Sequence, residues 1–245
     1  MGATARRFRL LVLGAVDLRD ARGREVTAVL AQPRRLALLT YLALAPAGEF
    51  HRRATLAGMF WPEADDAHAR GALRQALCFL RHALGARTLP GRGDGEVRLD
   101  EACWCDAAAF QNALAAAEPE AAVALYRGDL LEGVNIDAAP AFDEWLEQRR
   151  GRLWRAYAGA LERVAARKAE GGDQAAAVEC WRTLVARTPE SGHVVLGLMR
   201  ALEAAGDRAG ALQAAERHRA LLRRELGATP DGSVLALAQR LRGPG

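Results

Sequence analysis

The chain has 245 residues, enough for one large domain or two smaller ones, and its 51% hydrophobic fraction is ample for packed cores. Residues 1–100 carry 16 Arg against 10 acids, a net +6, whereas residues 101–245 carry 18 Lys and Arg against 20 acids, a net −2. No apolar run reaches the length of a membrane-spanning helix, and a basic front half fits a polyanionic partner that the rear half does not need.

In chain order, "MGATARRFRL" has no signal-peptide pattern, since the apolar stretch after Arg9 breaks at Gly14; a cytoplasmic protein is the expectation. Phe8 to Leu13 reads as a strand, "RDARGR" as a turn around Gly23, and Val26 as the resumption of a strand. Pro33 opens a helix with Leu36, Leu39 and Leu42 on one face. "HRRATLAGMFWP" is a shorter helix closed by Pro62, and the acids Glu63, Asp65 and Asp66 suit the first turn of the next. That next helix, 67–84, repeats Leu73, Leu77, Leu80 and Leu84 at helical spacing and stops at Gly85. Its other side carries Arg70, Arg74, Gln75, Arg81 and His82, with no acid between Arg70 and Arg87. A solvated face ordinarily mixes signs to gain cross-turn pairs. "RTLPGRGDGEVRLD" then reads as two short strands around a Gly-rich turn.

Strands, helix, helix, longer helix and hairpin within about 100 residues form the order of a winged helix-turn-helix, whose second helix enters the major groove. The helix in that position is the one with the acid-free face, so phosphates and base edges would supply its missing acceptors. Arg and Gln are the side chains suited to bidentate base pairing.

After residue 100 the texture is Ala-rich and helical. "DAAAFQNALAAA" and "PEAAVALYRG" read as a helical pair joined at Pro119, "GDLLEGVNIDAAP" as a loop, and Ala141 onward as a long helix with Phe142, Trp145, Leu146, Leu153, Tyr157 and Leu161 at helical spacing. Gly172-Asp173 and Gly206-Asp207 lie 34 residues apart, each closing one helix and opening another, with Ala177 and Ala211 matching just beyond. That is the tetratricopeptide period, although the second unit lacks the counterpart of Trp181. The fold class expected is therefore mainly α: an α+β winged helix-turn-helix over 7–100, followed by an all-α tetratricopeptide-like superhelix over 101–243.

Cys103 and Cys105 lack the ligand spacing of a zinc site; on a strand over 102–106 they share one face as small buried hydrophobes. Trp145, Trp154 and Trp181 fit core packing better than a ligand cage. No phosphate-binding loop, His-Glu metal pair or Gly-x-Ser-x-Gly elbow is present, so neither an enzyme nor a cofactor or metal is expected.

The ordered set "PRRLALLTYLAL", "ATLAGMFWP", "ARGALRQALCFLRHAL", "ALYRGDLLEG", "FDEWLEQRRGRL" and "LLRRELGATPDGSVLAL" resembles the antibiotic regulatory (SARP) type of bacterial transcriptional activator. That family joins a response-regulator-type (OmpR-like) winged helix to a helical bacterial transcriptional activator domain. The resemblance implies binding to promoter DNA, commonly direct repeats bound by a head-to-tail homodimer, and activation through RNA polymerase. Carried over by position, it puts base and phosphate contacts on Arg70, Arg74, Gln75, Cys78, Arg81 and His82, phosphate contacts on Arg52 and Arg53, and wing contacts on Arg92 and Arg98. Phe79 departs from the family pattern, which has a polar or basic residue there; it either packs inward or wedges against a thymine methyl. In relatives this pair of domains often precedes an ATPase or other signalling module. The alternative expectation is thus an interaction adaptor, or the N-terminal part of a larger signalling protein, whose winged helix does not bind DNA.

Overall fold

A computed structural model describes residues 8–100 and 103–243, which form two compact units divided between Ala156 and Tyr157. The expected module boundaries at residue 7 and residue 101 fall outside the described residues.

In the first unit, β1 (Phe8–Leu11) pairs antiparallel with β2 (Asp17–Asp20), Phe8 opposite Asp20 and Leu11 opposite Asp17. Leu10 and Leu18 point to the core, fully buried. The Asp20 carboxylate gathers the backbone N–H groups of Arg22 and Arg24 into a tight turn. Val26 does not resume a strand. Its N–H reaches the Leu18 carbonyl at 2.8 Å and the chain coils into α1 (Thr27–Leu30), because a helical turn is what carries Val29 into the core.

Next comes α2 (Pro33–Ala43), with Pro in its first turn where a missing N–H costs nothing. "HRRATLAGMFWP" is not one helix: His51 and Arg52 form β3 (His51–Arg52), and α3 (Arg53–Phe60) starts only at Arg53. The segment is drawn into a sheet because β3 pairs with β5 (Glu96–Val97), which also pairs with β4 (Gly91–Arg92), giving the order β3-β5-β4. Between α3 and the wing lies α4 (Asp66–Leu84). Its Ala69, Leu73, Ala76, Leu77, Leu80 and Leu84 are buried with Leu56 and Phe60 of α3, each fully buried leucine contributing about 1.5–3 kcal/mol. Gly85, at φ +96°, stops the helix in a conformation a β-carbon would resist.

The strand read over 102–106 is β6 (Cys103–Cys105), which adds in parallel to β1 and completes the order β2-β1-β6. From it springs α5 (Asp106–Ala115), then α6 (Pro119–Leu125). The buried Asp106 carboxylate accepts from the N–H groups of Val12 (2.9 Å), Leu13 (3.1 Å) and Ala107 (2.8 Å), and lies 3.6 Å from Arg127. Burial pushes this carboxyl up from its ordinary range, against the pull of those donors. The segment read as a loop before the long helix also holds β1: Leu130 bridges Leu13, and the Leu131 N–H reaches Val12 at 2.8 Å. Then α7 (Pro140–Glu170) begins, and its Arg150 donates to the carbonyls of Leu130 and Leu131. Trp145 and Phe142 stack with each other, and Tyr41 of α2 lies 4.9 Å from Trp145, so this tryptophan packs as the spacing predicts.

The second unit takes in the end of α7, α8 (Gln174–Arg187), α9 (Gly192–Ala204), α10 (Arg208–Glu225) and α11 (Gly232–Arg242). The repeated Gly-Asp pairs act alike. Gly172 and Gly206 have φ of +82° and +79°, and Asp173 and Asp207 cap α8 and α10 through the N–H groups of Ala176 and Gly210. Ala177 and Ala211 are buried where larger side chains would separate the helices. Trp181 lies so close to Gly197 that a β-carbon there would run into its ring. Gly197→Ala should therefore destabilise this unit by about 1–3 kcal/mol despite the better helix propensity of alanine, read as a lower midpoint in urea unfolding. The chain is thus an α+β winged helix-turn-helix followed by an all-α, tetratricopeptide-like array.

Candidate nucleic-acid interface

Asp65 starts α4 by accepting from the N–H groups of Ala67 and His68, both at 3.0 Å, and its other oxygen lies 2.7 Å from the His68 ring. The His68 N–H and ring hold this carboxyl below its usual range. The cap is therefore complete at neutral pH and is lost as pH falls through the carboxylate range. Pinned at this end and stopped by Gly85, α4 buries its leucine stripe and leaves its other face to solvent.

On that face Arg70, Arg74, Gln75, Cys78 and His82 are all exposed. At ~100° per residue, Ala67, Gly71 and Cys78 run along its centre, Arg70, Arg74 and Arg81 along one flank, and Gln75 and His82 along the other. Small residues at the centre permit close approach of the helix, while long donors reach out from its edges. Arg70 has the only ion pair of this set among the described residues, a loose one to exposed Asp66 at 3.8 Å. Arg74 has none.

Arg81 differs. Its Nε and Nη2 both donate to the Leu89 carbonyl, at 3.0 and 2.8 Å, so it ties α4 to the start of the wing. Arg53 is also engaged in structure: its N–H bonds the Gly95 carbonyl at 2.8 Å, its guanidinium packs against Gly91, and its Nε is buried without a partner. Arg52, by contrast, is exposed and has no partner among the described residues. On the wing, Arg92 pairs with Glu96, and both Arg92 and Arg98 lie over the Phe50 ring, at 4.9 and 5.4 Å. The structure thus brings Arg52, the α4 face and the wing into one module, while Arg53 and Arg81 brace it.

Phe79 is half-buried, with the Arg35 guanidinium 4.0 Å from its ring centre. Phe50 was not singled out from sequence; an aromatic directly before "HRR" was the available signal. Exposed Arg87, which closes the acid-free run, was likewise passed over. Cys103 and Cys105 behave as small hydrophobes: burial pushes the Cys103 thiol up to about 12 and raises that of Cys105 as well. Among the described residues no group of three or more His, Cys, Asp or Glu is placed to hold a metal, and no helix is long and apolar enough to cross a membrane.

The family model of the bacterial transcriptional activator domain matches residues 97–242. No curated protein matches the sequence. Among solved structures, Mycobacterium tuberculosis EmbR in complex with a low affinity phosphopeptide is similar, with a TM-score of 0.69 and 21% identity over 98% of this chain. The chain spans 66% of the length of that one, and the likeness is one of fold. With well over half its length matched, the chain belongs to the bacterial transcriptional activator domain family, a family of transcription regulators.

Proposed function

We propose that the protein is a sequence-specific DNA-binding transcriptional activator, with 7–100 as its DNA-binding module and 101–243 as its activator module. In this reading α4 lies in the major groove of double-stranded promoter DNA, and Arg74, Gln75, Cys78 and His82 face the bases. Arg52, Arg70 and the wing's Arg92 and Arg98 meet phosphates, while Arg53 and Arg81 hold the wing in place. The helical module serves homodimer contacts on direct repeats or contacts with RNA polymerase, as in the family it resembles, and the protein works in the cytoplasm.

The observation that carries this reading is the exposed face of α4, whose guanidinium groups have no acid partner among the described residues apart from the loose Arg70–Asp66 pair. An adaptor with a silent winged helix would have no use for that unbalanced charge. The test is the salt dependence of binding to duplexes the protein selects from a random library. Four phosphate contacts predict a slope of log K against log salt of about −3 to −4. A flat plot contradicts the proposal.

A further inference from the structure

Away from the α4 face, in the first unit, a groove of about 900 Å³ is bounded by the 42–49 segment after α2, by β6, and by α5 and α6. It meets a second hollow of about 280 Å³ lined by Phe110, Leu114, Arg152, Leu153 and Ala156, and Gln111 and Arg149 line both. Arg149 and Arg152, one helical turn apart on α7, form no ion pair among the described residues. Arg149 is half-buried, lies over the Trp145 ring at 5.7 Å, and among the described residues makes one hydrogen bond, a long one of 3.5 Å to the Leu44 carbonyl. Burial and the neighbouring Arg152 both disfavour its charge. Glu49 and Glu118 line the wider groove, and among the described residues neither forms an ion pair with either arginine. Two like charges held together beside an apolar hollow, with no counter-ion among the described residues, form a site suited to an anion. The apolar walls of Phe110, Leu114, Leu153 and Ala156 ask for a hydrophobic body behind it.

We propose that this groove binds a small organic carboxylate with an apolar body, its carboxylate held by Arg149 and Arg152, with Gln111 as a further donor. Arginine pairs of this kind grip carboxylates through charge-assisted, often bidentate hydrogen bonds. The site adjoins the segment that leads into β3 and Arg52, which places a bound molecule beside the base of the wing sheet.

The test is calorimetric titration of the full chain with 2-naphthoate and decanoate, with 2-naphthalenemethanol and inorganic phosphate as comparisons. One saturable carboxylate per chain is expected, with the uncharged alcohol and phosphate both much weaker. Arg152→Gln, at an exposed position, should weaken binding by about tenfold or more. Arg149→Gln should do the same, with its melting curve showing that the fold is intact. Arg155→Gln, on the same helix but outside the groove, should leave affinity unchanged. The proposal is overturned if neither carboxylate saturates at about 1 mM, if alcohol or phosphate binds equally well, or if Arg152→Gln has no effect.

Discussion

Alanine at Arg74 is expected to lower affinity for the selected duplex by roughly 5- to 150-fold while barely changing affinity for unrelated sequence, because a bidentate base contact contributes about 1–3 kcal/mol of discrimination. Arg74 is exposed, stands on the flank of α4 beside the small residues at its centre, and has no acid to release before it turns to a base. Arg52→Ala should behave differently. It removes a phosphate contact, so all sequences weaken alike and the salt slope shrinks by about one unit. Competition binding with specific and random duplexes separates the two patterns. Equal losses on both duplexes for both variants would mean that α4 does not read bases.

The second large effect concerns stability. Asp106→Ala should cost about 3–5 kcal/mol, since it orphans three backbone N–H groups and leaves Arg127 without its acid. Two of those donors, Val12 and Leu13, directly follow β1, 94 and 93 residues away in sequence. The loss should appear as a marked fall in the urea midpoint of the first unit, followed by loss of DNA binding as a consequence. Asp106→Asn retains one acceptor oxygen and should cost less. An unchanged midpoint for the alanine variant would mean that Asp106 does not hold β1 in place.

These two residues mark what was readable in the chain. The α4 face was visible because it depends on local spacing: leucines at one side, arginines at the other, and Gly85 as the stop. The Gly-Asp pairs were equally readable, since left-handed glycines and aspartate caps act within a few residues of themselves. Asp106 gave no comparable signal, because its partners lie far along the chain and a carboxylate at a helix start looks like an ordinary dipole effect. The contacts of Arg53 and Arg81 within the fold were hidden for the same reason. Both sit in basic runs that fit DNA contact, but the wing folds back and supplies carbonyls to each. Val26 shows a strand-forming residue overridden by a neighbour, since burying Val29 required a helical turn.

With the acid-free face of α4 in the major groove, as proposed, the helix would cover guanine N7, which is exposed there. Dimethyl sulfate methylation of the selected duplex, with and without protein, measures this directly. Guanine N7 positions within the bound site should be protected, and at least one of them should recover in Arg74→Ala at saturating protein. Tight binding with every N7 still fully reactive would contradict it.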